Sequence, residues 1–302
     1  MIPEFEYHSP ETLAEACELL KKHKASVRML AGGTDLIPKM VQGQLAPKHV
    51  VNVKRITELN KISFKKSTGL TLGSLVRFND LIYSDIIKDN YPILVEVSKK
   101  VATHQVRNLA TIGGNLCNAA PSADSAPILI ALDSKVTIVG PGGKKRVMSL
   151  SDFFVGPGKT ALEPGEILTQ ITIPPIKPNS GMAYYKHSIR NALEIAIVGV
   201  AVLVQIDSNS DQCIDARVVI AACSPTPLRV PTAEQKLIDE ILSVGCKPFL
   251  AAADQAGKAV KPISDIRASE GYRREMVNVQ CKRVLDEAFL RAQTSIKQEV
   301  NE

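Results

Sequence analysis

Two pairs of adjacent glycines constrain this chain more than any other feature of its sequence. Gly32 and Gly33 stand in "MLAGGTDLIPKM", residues 29–40, and Gly113 and Gly114 in "TIGGNLCNAAPSAD", residues 111–124. Each pair separates an apolar segment from a predicted helix. Glycine permits positive φ and lets another group lie directly on the main chain. Successive N–H groups turned the same way form an anion-binding concavity, and a helix beginning behind them strengthens it. Thr34 adds a hydroxyl to the first loop; Thr111 adds one to the second, and Asn115 a side-chain amide. Two such loops, with exposed amides at Gly113 and Gly114, could hold the two phosphates of a dinucleotide from opposite sides. The competing reading is a pair of ordinary turns, the commonest use of glycine. Neither loop is the GxGxxG fingerprint or the GxxxxGK phosphate loop.

The remaining pattern organises the chain around these loops. A first helix is predicted in "SPETLAEACELLKKH", with Ser9 as N-cap, Pro10 at the first helical position and Leu13, Ala16, Cys17 and Leu20 on one face. "VRML" (27–30) and "HVVNV" (49–53) read as short strands, "GLTLGS" (69–74) as an alternating one. Helices are expected from Pro92 and in "ADSAPILIALD", and a hairpin through Pro141–Gly143. "GEILTQITIP" is a strand closed by prolines. "PPIKPNSG" (174–181) is the best domain boundary. Beyond it come three strands, "MAYYKHSI", "EIAIVGVAVLVQID" and "ARVVIAAC", and then helices at about 232–242, 248–260 and 270–294. In the last, Val277, Cys281, Val284, Leu285 and Ala288 form an apolar stripe, and the terminal "KQEVNE" is expected to fray. Strands followed by helices mark an α+β arrangement.

Composition excludes several function classes. Net charge is +6, from 37 basic and 31 acidic residues, but the basic residues are scattered, Trp is absent and aromatics make up 4%. A nucleic-acid footprint concentrates its cations and interleaves aromatics. The longest apolar stretch, "IAIVGVAVLV", is too short to span a bilayer. The acidic N-terminus lacks the features of a secretory signal, so a cytoplasmic protein with no membrane contact is expected. The six cysteines include no close pair, which argues against a zinc or iron–sulfur centre in this chain.

"LAGGTDL" together with "TIGGNLCNAAPSADSAP" resembles the paired FAD-binding motifs of the flavoprotein (medium) subunit of molybdenum hydroxylases, the xanthine dehydrogenase and carbon monoxide dehydrogenase family. "FFVGPGKTALEPGEILTQITIP" and "YKHSIRNALEIAIVGVA" follow in the family's order, and the wording is most similar to bacterial xanthine dehydrogenase FAD subunits. The resemblance implies an α+β fold. Residues 1–176 would form a two-subdomain FAD-binding domain of the vanillyl-alcohol-oxidase (PCMH) type, and residues 181–295 a smaller α+β domain of the CO dehydrogenase flavoprotein type.

It also implies a site. Arg28, Met29, Leu30, Ala31, Gly32, Gly33, Thr34 and Asp35 would wrap the FAD pyrophosphate, and Thr111, Ile112, Gly113, Gly114 and Asn115 would close on it. Asp124 and Leu168 would meet the flavin, and Lys186 would sit near its ring, where a cation stabilises the charge of the reduced form. On residues alone, Asp124 is a helix cap, Leu168 a core strand residue and Lys186 an exposed strand lysine. Thr34 stands where related covalent flavoproteins often carry histidine, so the FAD should be non-covalent. No catalytic residue and no metal is assigned to this chain. The implied role is an electron outlet in purine metabolism. Iron–sulfur clusters of a two-iron partner subunit feed FAD, NAD is the acceptor, and a molybdenum-cofactor subunit completes a heterotrimer that could dimerise. Another branch (carbon monoxide, nicotinate or aldehyde dehydrogenase), a self-contained flavin reductase of the same fold and a non-catalytic module are the alternatives.

Overall fold

The computed structural model describes residues 2–190 and 193–299. The N-terminal sheet has three parallel strands, Glu6–His8, His49–Asn52 and Val27–Leu30, with His49–Asn52 in the centre. Helix Leu13–His23 packs on it and buries Ala16, Cys17 and Leu20, the face its spacing predicted. Its cap is not Ser9. Thr12 holds the N-cap position and accepts from Glu15 N at 3.2 Å, so Ser9 and Pro10 lie in the approach to the helix.

A second sheet carries five antiparallel strands in the order Ile62–Lys65, Gly69–Gly73, Ile167–Ile173, Lys135–Val139, Lys145–Ser149. The predicted hairpin through Pro141–Gly143 joins the last two. Helices Pro92–Lys99, Ile112–Asn118 and Ser125–Ala131 belong to the same apolar core. The proline-rich stretch leads out of strand Ile167–Ile173, where Tyr91 Oη donates to Pro174 O at 2.8 Å.

The third sheet, Ser180–His187, Val198–Ile206, Cys213–Ala221 and Leu228–Arg229, is antiparallel throughout. Eight of the nine residues of Val198–Ile206 are buried, so the strand is covered on both faces, which its unbroken apolar run required. Val198, Val200, Val202 and Val204 share a core with helices Lys247–Ala259 and Glu270–Glu299. Ala201 and Leu203, with Met182, Tyr184 and Val219, complete instead the core that contains Ile128 and Leu129. The stripe Val277, Cys281, Val284, Leu285 and Ala288 is fully buried.

The helix expected at 232–242 is short, Pro231–Glu234. Past it, Cys213 N donates to Glu240 O, Asp239 N donates to Cys213 O, and Asp239 takes a φ of +65°. The backbone there pairs with the end of a strand instead of with itself. Helix Glu270–Glu299 covers the predicted 270–294; Val300–Glu302, the end of the segment expected to fray, lie outside the described residues. Among the described residues no helix is long and apolar enough to cross a membrane.

Candidate functional site

The two glycine loops face one cavity of about 630 Å³. Ten of the sixteen predicted residues line it: Arg28, Met29, Ala31, Gly32, Gly33, Thr34, Asp35, Thr111, Gly114 and Asn115. A second hollow of about 350 Å³ shares Arg28 and Leu45 with the first and is bordered by Lys48.

The loops do different things with their backbones. In the first, Gly33 takes a φ of +77°, and a Cβ on Gly32 would run into the Leu109 carbonyl oxygen. Among the described residues nothing accepts a hydrogen bond from the backbone N–H of Gly32, Gly33, Thr34 or Asp35. Four consecutive donors therefore stand open at the cavity wall, an arrangement that suits an anion. In the second, Thr111 caps helix Ile112–Asn118, its hydroxyl accepting from Gly114 N at 3.1 Å. Ile112 N donates to Val76 O, Gly113 N to Ser74 O at 2.9 Å and Asn115 N to Thr111 O. The exposed amides expected at Gly113 and Gly114 are thus spent internally. Gly113 is required because a Cβ there would lie 2.5 Å from Ser74 Cβ.

Leu30, Ile112, Gly113, Asp124, Leu168 and Lys186 do not line the cavity. Leu168, on strand Ile167–Ile173, is 1% exposed in the core. Asp124 and Lys186 meet at 2.7 Å, with side chains only 9% and 10% exposed, and Tyr184 Oη donates to the other Asp124 oxygen at 2.7 Å. Asp124 occupies the N-cap position of helix Ser125–Ala131 but makes no cap bond with its side chain; it turns to this pair of donors. Burial pushes the Asp124 carboxyl up, and the Lys186 ammonium pulls it back. The Tyr184 hydroxyl is pushed well above its ordinary range by burial and by Asp124. The group adjoins the cavity through two links. Lys186 Nζ donates to Lys100 O, next to the lining residues Val101 and Ala102, and Ser125 Oγ donates to the lining residue Asn115 at 2.6 Å.

Three further residues in or beside the cavity were not among those assigned to the site from the sequence. Asn118 joins the two loops, its Nδ2 donating to Asp35 and its Oδ1 accepting from Lys39, both at 3.1 Å. Tyr184 was legible only as the residue two before Lys186, on the same face of its strand. Cys117 reaches the cavity, but burial pushes its thiol up to about 12, so it stays protonated at neutral pH and is a poor nucleophile.

An open amide loop and a capped glycine helix face one cavity, and a buried ammonium–carboxylate pair adjoins it, an arrangement suited to a phosphate-bearing cofactor. Residues 3–176 match the family described as the FAD binding domain in molybdopterin dehydrogenase, and residues 183–288 that of the CO dehydrogenase flavoprotein C-terminal domain. The chain is 33% identical over 287 residues to the xanthine dehydrogenase FAD-binding subunit of Escherichia coli O157:H7, covering 95% of this chain and 96% of that one. It is also 33% identical over 289 residues to the carbon monoxide dehydrogenase medium chain of Hydrogenophaga pseudoflava, covering 96% and 98%. Among solved structures, carbon monoxide dehydrogenase from H. pseudoflava superposes with a TM-score of 0.92 at 32% identity, covering 96% of this chain and 99% of that one. Quinoline 2-oxidoreductase from Pseudomonas putida 86 does so with 0.89 at 26%, covering 97% and 99%. The chain belongs to the FAD-binding medium-subunit family of the molybdenum hydroxylases, and it is an oxidoreductase subunit of that family.

Proposed function

We propose that this chain binds one FAD non-covalently in the cavity between its glycine loops and serves as the electron outlet of a xanthine dehydrogenase-like complex. The observation that carries the reading is the run of four N–H groups from Gly32 to Asp35, without acceptors among the described residues, on a stretch that lines the cavity. Arg28 and the Thr34 hydroxyl add a charge and a further donor at the same wall. The capped helix opposite keeps its own amides occupied and presents Asn115 and Gly114 as a fixed surface. FAD, when bound, supplies the redox chemistry, taking up electrons and passing them on.

The protein contributes position, charge and exclusion of water. Lys186, held by Asp124 and Lys100 O, fixes an ammonium beside the cavity, where it favours an anionic reduced cofactor over the neutral form. Tyr184 holds the carboxylate in turn. We assign residues 1–176 to the FAD domain and 181–295 to the C-terminal domain of such a subunit, working in the cytoplasm.

NAD as acceptor, and a heterotrimer with a molybdenum-cofactor subunit and a two-iron iron–sulfur subunit, rest on the likeness of the motif wording to xanthine dehydrogenases. Relatives of equal identity include a carbon monoxide dehydrogenase chain, so the oxidised substrate is set by the partner that carries molybdenum. The purified chain, supplied with FAD, should retain about one per molecule and release it on denaturation. A folded chain that holds none would overturn the assignment. The complex isolated from its source should reduce NAD with a purine; reduction with carbon monoxide instead would keep the FAD role and replace the xanthine one.

A further inference from the structure

On the N-terminal sheet, three histidines far apart in sequence come together. His8 ends strand Glu6–His8, His49 opens the central strand and His23 closes helix Leu13–His23. Each offers a ring nitrogen, and these nitrogens all lie within 4.8 Å of one another. Glu6 pairs with His49 in the strand register, and Glu6 and His8 are two apart, so all three side chains leave one face of the sheet. The Glu6 carboxylate lies 3.2 Å from His49 Nδ1 and 3.7 Å from His8 Nε2.

We propose that Glu6, His8, His23 and His49 form a binding site for a divalent zinc-type cation. Bonds of about 2.0–2.1 Å in a tetrahedral site place donor atoms about 3.3–3.4 Å apart. His8 Nε2 and His49 Nδ1 stand 3.3 Å apart and a Glu6 carboxylate oxygen lies 3.2 Å from the same His49 nitrogen, so two of the three edges already have that spacing, and the Glu6–His8 edge, at 3.7 Å, must close by a few tenths of an ångström. His23 Nε2 is buried without a hydrogen-bond partner, an unsatisfied ligand atom at the same cluster. His23 lies over His49 with ring centroids 3.6 Å apart, so one of these rings swings outward when both reach the ion. Entry is open: Glu6 is 65% exposed, while His8 and His49 are 15% and 17% exposed. Three imidazoles and a carboxylate select zinc and its borderline neighbours over calcium or magnesium. The ion would staple the edge strand, the helix end and the central strand that precedes residues 54–60, stiffening the subdomain that carries the first glycine loop.

The test is metal uptake by the full-length chain, stripped with a chelator, dialysed, given zinc chloride alone and passed through gel filtration. The expected result is one zinc per chain, a higher thermal unfolding midpoint in excess zinc, and the visible absorption of a tetrahedral site when cobalt replaces zinc. His23→Ala and His49→Ala should each weaken uptake by about a hundredfold or more, since even outer-shell losses reach that scale. Glu6→Gln, at an exposed position that leaves the fold intact, should weaken it too, whereas His104→Ala should bind as wild type. A wild-type chain that retains no zinc overturns the proposal and leaves three imidazoles packed against one another. Equal uptake by the wild type and by His23→Ala and His49→Ala places the zinc elsewhere and overturns it equally.

Discussion

The two Gly-Gly loops share a spelling, a following helix and a nearby threonine, yet they are built in opposite ways. The first leaves four amides unpartnered and bends through a left-handed Gly33. The second is a closed helix start in which Thr111, Ser74 and Val76 accept every early amide, and its glycines allow backbone to pack on backbone. One loop is a mouth and the other a wall. A glycine pair at a helix start therefore reports close approach of something, and only the neighbouring backbone decides whether that is a ligand or the protein itself.

The largest effects should separate the glycines that touch protein from those that do not. Gly32→Ala and Gly113→Ala drive a Cβ into the Leu109 carbonyl and into Ser74, and each should cost about 1–3 kcal/mol or more in urea unfolding. Gly114→Ala meets no backbone, only the Thr111 hydroxyl at 2.8 Å and the Ala31 Cβ at 3.9 Å, and should cost less. If all three variants unfold with the wild-type midpoint, the loops do not pack as described.

The threonines should split next, by property. Thr111→Ala removes the cap and should lower stability by about 1 kcal/mol. Among the described residues the Thr34 hydroxyl has no hydrogen-bond partner, so Thr34→Ala should change stability by less than about 0.5 kcal/mol. Its effect should appear in FAD affinity. Should Thr34→Ala destabilise the free protein as much as Thr111→Ala, the contrast between open and closed loop fails.

An effect no larger than the loss of the Thr111 cap falls on the link between them. Asn118→Ala cuts the bonds to Asp35 and Lys39, which are part exposed, and should cost about 0.5–1 kcal/mol. Hydrogen exchange should quicken over residues 36–41 and stay unchanged in helix Ile112–Asn118. Quickening in both segments would make the two loops a single unit.

Much of the frame was legible because it follows from local pattern. The apolar run ending in Val198–Ile206 read as a strand, and the stripe from Val277 to Ala288 as a helix face. The cavity wall from Arg28 to Asp35 was legible through the motif. The satisfied amides of the second loop were not, because their acceptors, Ser74 and Val76, lie some forty residues away in sequence. The partner of Asp124 was hidden for the same reason; on local grounds it is a cap, and the fold supplies Lys186 and Tyr184 instead. Nor could cysteine spacing reveal His8, His23 and His49, which sheet register and a helix end bring together. The helix expected at 232–242 was lost to a competing strand end at Cys213.

The C-terminal sheet, with one face turned to helices Lys247–Ala259 and Glu270–Glu299 and the other to helix Ser125–Ala131, also sets an order of events at the ribosome. When residues 1–176 have emerged, Ile128 and Leu129 have no Met182, Ala201, Leu203 or Val219 to cover them. The cofactor half of the molecule cannot finish its own interior until the strands that follow have been synthesised. A nascent chain paused at the prolines would present an apolar helix to the cell, and chaperones should find it there.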